Sequence, residues 1–197
     1  DNMDSVAITK WDDVNVRAIC SGYGYVMDIH GNTVMSLGKE LVPHGQEVRV
    51  ARFDPNNPEP QMVIRYKGHT PKVMVVNTDG EIINRFKLNS SPNETGMEVV
   101  YWNSKDSTAL LYNGGKLWNP LTAESISLPG LKKTQGPWKM GWYHCIPTNL
   151  AGDEREEMVL YNPWDKYVWI YTPAPISPDA QSFFQPTPRQ YNCRLMD

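Results

Sequence analysis

No stretch of this 197-residue chain reaches the 18 or so consecutive apolar residues of a membrane-crossing helix, so no membrane span is expected. Charge of one sign is also missing. The net charge is −3, from 19 basic and 22 acidic residues with no block of either, which excludes a nucleic-acid or other polyanion partner. Cysteine is sparse and odd in number, at Cys20, Cys145 and Cys193, which is no disulfide framework. Their apolar surroundings predict buried free thiols. Helical periodicity is absent, and 14 Gly and 16 Pro interrupt the chain too often for long helices. The sequence opens at Asp1 without Met or a leader, which predicts a piece of a longer chain.

What is present is a repeat. Met62-Val63-Ile64-Arg65-Tyr66, Ala109-Leu110-Leu111-Tyr112-Asn113 and Met158-Val159-Leu160-Tyr161-Asn162 share one pattern, and their tyrosines recur 46 and 49 residues apart. Val16 to Cys20 is a weaker copy without the tyrosine. Each copy follows an apolar run that ends in an aromatic or polar break, such as Val50-Ala51-Arg52-Phe53-Asp54. Two further β-prone runs come after it, separated in the second repeat by an Asp79-Gly80 hairpin signal. Four short strands in roughly 45 residues is the arithmetic of a propeller blade. A β-sandwich also uses short strands but gives no reason for one tyrosine to close the same strand of successive units.

The fold class expected is therefore all-β: a β-propeller with about four four-stranded blades, part of a larger seven- or eight-bladed ring. The blades are expected at 3–39, 43–90, 96–130 and 138–175. A Pro-rich loop over 176–188 then leads to the first strand of a next blade, or a ring-closing strand, at 189–197. The expected structural partner is the rest of the ring, from the same protein or another copy.

Antiparallel strands sort the polar residues onto two ends. One end collects His44, Arg65, Tyr66, His69, Asn113, Tyr143, Asn162, Trp164, Arg189 and Tyr191. A polar and aromatic concave end suits a sugar, since a flat ring stacks on a pyranose while amides hydrogen-bond its hydroxyls. The residues expected to bind substrate are Asn113, Tyr143, Asn162, Trp164 and Tyr191. His144 lies in an apolar run and is read as structural. The opposite end collects Asp12, Asp54, Asn103 and the turn from Asn149 to Glu156. Asn149, Asp153 and Glu156 are hard oxygen donors suited to Ca²⁺, although their spacing matches no EF-hand and an Asx turn is the plain alternative.

Several segments resemble the late blades of rhamnogalacturonan lyases of the family-11 type. They are Gly152 to Val159, Trp169-Ile170-Tyr171-Thr172, Arg194-Leu195-Met196-Asp197, and His44-Gly45 followed by Phe53-Asp54-Pro55. The resemblance implies an eight-bladed propeller that cleaves the pectin backbone by β-elimination with bound Ca²⁺. It matches His44 to a histidine near the catalytic cleft, and Asp153 and Glu156 to a structural turn. Gln46 stands where the family has an acid, and His69 comes three residues after Tyr66 rather than directly after the second strand. A secreted, periplasmic or cell-surface enzyme with a polysaccharide substrate follows as the expectation.

Elimination at a uronate needs a neutralised carboxylate, a base for the C5 proton and an acid for the leaving oxygen. His44, Tyr66 and His69 are the candidates for proton transfer, and Arg65 and Arg189 for the carboxylate. A glycoside hydrolase would instead want two carboxylates flanking the bond. A non-catalytic sugar-binding propeller would need the aromatics and amides alone.

Overall fold

A computed structural model describes residues 3–12, 15–104, 107–135 and 141–175. The described residues form fifteen strands in four antiparallel sheets, each built from strands consecutive in sequence. The first sheet holds β1 (Val6–Lys10), β2 (Val16–Cys20), β3 (Tyr25–Met27) and β4 (Thr33–Ser36). The second holds β5 (Glu47–Ala51), β6 (Gln61–Arg65), β7 (Lys72–Val76) and β8 (Ile82–Lys87). The third holds β9 (Glu98–Val100), β10 (Leu110–Asn113), β11 (Lys116–Trp118) and β12 (Ser125–Ser127). The fourth holds β13 (His144–Thr148), β14 (Glu157–Tyr161) and β15 (Trp169–Tyr171), three strands among the described residues where four were expected. Among the described residues, helix is confined to one turn at Gly38–Leu41 and a shorter one at Gly22–Gly24.

The hairpins after the third strand of the first three sheets are made the same way. Asp28, Asn77 and Asn119 head them. The Asp28 carboxylate accepts the N–H groups of His30 and Asn32, and the Asn77 side-chain carbonyl accepts those of Asp79 and Glu81. Such Asx turns satisfy the backbone where the chain reverses. Gly80, at φ 83°, takes the left-handed position that the expected Asp79-Gly80 turn requires.

The sheets stack in order, each on the one before. Ala7, Ile19 and Val26 of the first sheet meet Val48, Met62, Ile64, Met74 and Val76 of the second. Val63, Val73 and Val75 on the other side of the second sheet meet Met97, Leu111 and Trp118. Tyr112 and Leu117 of the third meet Tyr143, Cys145, Met158 and Leu160. Alternation along one strand thus feeds two cores: in β6, Met62 and Ile64 point back and Val63 points forward. Burying each such side chain contributes about 1.5–3 kcal/mol. Cys20 and Cys145 are buried, and burial pushes the Cys20 thiol up. No helix among the described residues is long and apolar enough to cross a membrane.

The same bookkeeping corrects the tyrosine register. Ile64, Leu111 and Leu160 all face the preceding sheet. One residue later, Arg65, Tyr112 and Tyr161 share a position, opposite Glu47, Glu98 and His144 respectively. Tyr66 is therefore equivalent to Asn113 and Asn162, not to Tyr112 and Tyr161. It packs back onto the first cluster, with the Arg85 guanidinium 6.0 Å from its ring centre. An arginine occupies the tyrosine's place in the second sheet because Glu47 neutralises it there.

Candidate functional site

The first strands of the four sheets run side by side in order, β1 by β5, β5 by β9 and β9 by β13. A cleft of about 700 Å³ opens at the end where these strands begin. Asp4, Gln46, Glu47, Glu98, His144 and Tyr161 line it, together with the segment from Pro92 to Gly96. Glu47, Glu98 and His144 hold one register position in three consecutive sheets, so the repeat itself delivers them to one opening.

The acids of the cleft are engaged. Arg65 Nε donates to Glu47 Oε2 at 2.8 Å, and Arg49 lies 3.1 Å from Glu47 and 3.4 Å from Glu98. Glu47 Oε1 also accepts the Met97 N–H at 2.7 Å, which ties the second sheet to the third. Lys133 Nζ donates to Glu94 at 2.6 Å. The Gln46 amide nitrogen donates to Asp4 and faces His44 Nε2 at 2.8 Å. The rings of His144 and Tyr161 stack at 5.3 Å.

Of the residues singled out from the sequence, His44 and His69 come together, ring centres 6.0 Å apart. The Gly68 N–H donates to the His44 carbonyl. His44 is half-buried and His69 exposed, while Tyr66 leans back on the first cluster. Arg65 is fully buried, and beyond Glu47 it donates to the carbonyls of Ser90 and Thr95 at 2.9 and 3.3 Å. No part of its guanidinium is left for a substrate carboxylate.

Asn113 is buried, accepting the Ser90 N–H and donating to the Gly96 carbonyl. Asn162 repeats this one sheet later, donating to the Trp142 carbonyl and accepting the Trp164 N–H. Both amides hold the entry of the first strand against the end of the second. Tyr143 is buried and donates to Asp165; burial and that bond push its hydroxyl up to about 12, and the same bond holds Asp165 low. Trp164 is exposed but does not line the cleft. Arg189 and Tyr191 lie outside the described residues.

At the far end, the turn between β13 and β14 is held by its own side chains. The Asn149 side chain accepts the Gly152 N–H and donates to the Asp153 carbonyl. Asp153 is held by the backbone and guanidinium of Arg155, which keep its carboxyl below the usual range. Glu156 Oε2 accepts the Tyr101 N–H at 2.9 Å. The neighbouring Glu157 caps the turn, accepting the N–H groups of Leu150 and Ala151. Gln61, its register equivalent, does the same for Phe53 and Asp54. Of the donors expected for Ca²⁺, the Asp153 carboxylate faces the Arg155 guanidinium. No three His, Cys, Asp or Glu side chains among the described residues gather as a metal site.

Asp4 and His144 were expected at this end, His144 as a structural residue, whereas Glu98 and Tyr161 were not expected in the cleft. The signal was available: the residues opposite the repeated second-strand positions are Glu47, Glu98 and His144.

No protein-family model matches the chain, and no curated protein matches it. Among solved structures the chain is similar to a rhamnogalacturonan lyase of the PL11 type from Bacillus licheniformis, at 14% identity and a TM-score of 0.46. The likeness covers 85% of this chain and 35% of that one, so the chain spans about a third of that protein's length. The relationship is distant.

Proposed function

We propose that the four sheets are consecutive blades of a β-propeller, and that the protein is carbohydrate-active, taking a polysaccharide into the cleft at the mouth of the first strands. One observation carries this reading: Glu47, Glu98 and His144 occupy one register position in three successive sheets and open on one cleft. Radial repetition around an axis produces that arrangement, with the first strands innermost. Amides at Gln46 and Asn93 beside the stacked rings of His144 and Tyr161 offer the mixture of hydrogen bonds and flat apolar faces a sugar takes. A polymer substrate goes with a secreted, periplasmic or cell-surface location.

The reaction we assign is β-elimination at a uronate, as in a lyase acting on a rhamnogalacturonan-type pectin. The imidazoles of His44 and exposed His69, with ring centres 6.0 Å apart, support it, because elimination needs a base for the C5 proton. With Arg65 committed to Glu47, the substrate carboxylate falls to Arg189. A glycoside hydrolase is the second reading, favoured by Asp4, Glu94 and Glu98 sharing the cleft.

Incubation of the full-length protein with rhamnogalacturonan separates these readings. A lyase raises near-ultraviolet absorbance through the unsaturated uronate it makes. A hydrolase makes reducing ends without that absorbance. Retention on the polymer with neither product leaves a binding propeller, and no retention overturns the proposal.

A further inference from the structure

The connection from the second sheet to the third lines the cleft over residues 92–96. Its turn is local in origin. The N–H groups of Glu94 and Thr95 donate to the Ser91 carbonyl, and Glu94 Oε2 accepts the Ser91 N–H at 3.2 Å. Pro92, second in the turn, presets the φ that such a turn requires. Asn93 stands exposed at the apex. Lys133 meets the Glu94 charge beside it. The apex therefore offers an amide, which both donates and accepts, to the hydroxyls of a sugar.

Two buried side chains clamp this loop from the ends of neighbouring second strands. Arg65, at the end of β6, donates to the carbonyls of Ser90 and Thr95 at 2.9 and 3.3 Å. Asn113, at the end of β10, accepts the Ser90 N–H at 2.9 Å and donates to the Gly96 carbonyl at 3.0 Å. Each thus bridges a residue before the turn and a residue after it, and both are fully buried. At the repeat position where Tyr112 reaches one carbonyl, the arginine reaches two, while its Nε stays on Glu47. A planar guanidinium spans several acceptors at once, which an ammonium cannot do in the same geometry. We infer that Arg65 and Asn113 are positioning residues for substrate, acting through the 90–96 loop, and that the group they place is the Asn93 amide. The inference rests on the carbohydrate reading of the cleft above.

A double-mutant cycle in the full chain tests it, read as the dissociation constant for rhamnogalacturonan. Asn93→Ala is expected to weaken binding about tenfold, the worth of one or two hydrogen bonds. Its melting temperature is expected to stay unchanged, because the side chain is exposed. Arg65→Lys keeps a cation beside Glu47 but cannot hold both carbonyls, and is expected to weaken binding by about tenfold as well. The two together are expected to stay within about twofold of Asn93→Ala alone, where independent effects would reach about a hundredfold. Asn113→Ser, which shortens the reach to Gly96, is expected to behave like Arg65→Lys and takes its place in the cycle if that variant does not fold. Val63→Ala, a core change in the same strand that touches none of the loop's bonds, is expected to lower the melting temperature and leave affinity unchanged. Unchanged binding in Asn93→Ala, additive losses in the cycle, or an equal loss in Val63→Ala overturns the inference and leaves the functional reading standing. Failure of the unaltered protein to bind the polymer overturns both.

Discussion

The guanidinium of Arg65 and the carboxylate of Glu47 meet at 2.8 Å across the first two strands of the second sheet, with neither side chain open to solvent. Removing one partner of a buried pair strands the other charge, at a cost of about 3–5 kcal/mol. Glu47→Ala and Arg65→Ala are each expected to lose that much in urea unfolding. The double variant Glu47→Leu/Arg65→Met is expected to lose less than the two single losses together, since neither charge is left alone.

Glu157→Gln is expected to leave the melting temperature unchanged or raise it. Gln61 performs the same turn-capping task with a neutral amide, and the substitution relieves a buried carboxylate of its desolvation. Glu157→Ala leaves two buried N–H groups unpaired and is expected to cost about 1–3 kcal/mol. Thermal melts of the pair check both.

Alkaline stability reports on two tyrosines. Burial raises both Tyr112 and Tyr143, the latter to about 12, with its bond to Asp165 adding to the shift. A tyrosine in the unfolded chain ionises near pH ~10. Above that pH the unfolded state gives up the proton first, so stability is fully present below about pH 10 and falls as pH rises toward 12. Urea midpoints from pH 8 to 12 are expected to show this decline, and Tyr143→Phe to flatten it.

If the protein is a lyase, His44→Ala or His69→Ala in the full-length protein is expected to lower turnover on rhamnogalacturonan by about 10²–10⁴-fold, the contribution of a positioned acid or base. His69 is exposed, so its variant is expected to melt within a few degrees of the parent. Full activity in both variants removes these residues from the chemistry.

The strand repeat and its hairpins were legible because they rest on local rules: alternation of apolar residues, and Asx or Gly residues where the chain reverses. The register at Tyr66 was not. A tyrosine at a strand end looks alike whether it faces forward or back, and the residue that settles it, Glu47, lies 18 positions away from Arg65. The cleft acids were hidden for a related reason. Glu98 begins a short strand whose other residues are apolar, and only the stacking of whole sheets brings it to the same opening as Glu47. Asn113 and Asn162 read as sugar ligands because a loop amide carries no mark of being buried; the backbone groups they hold come from distant turns.

Each of the three cores among the described residues lies between two sheets consecutive in the chain. A chain leaving the ribosome would therefore always find its next packing partner already folded and waiting, and no segment need be held back for a distant mate. Growth of that kind carries a standing exposure: at every stage one apolar surface faces the solvent, and it moves along the molecule as translation proceeds.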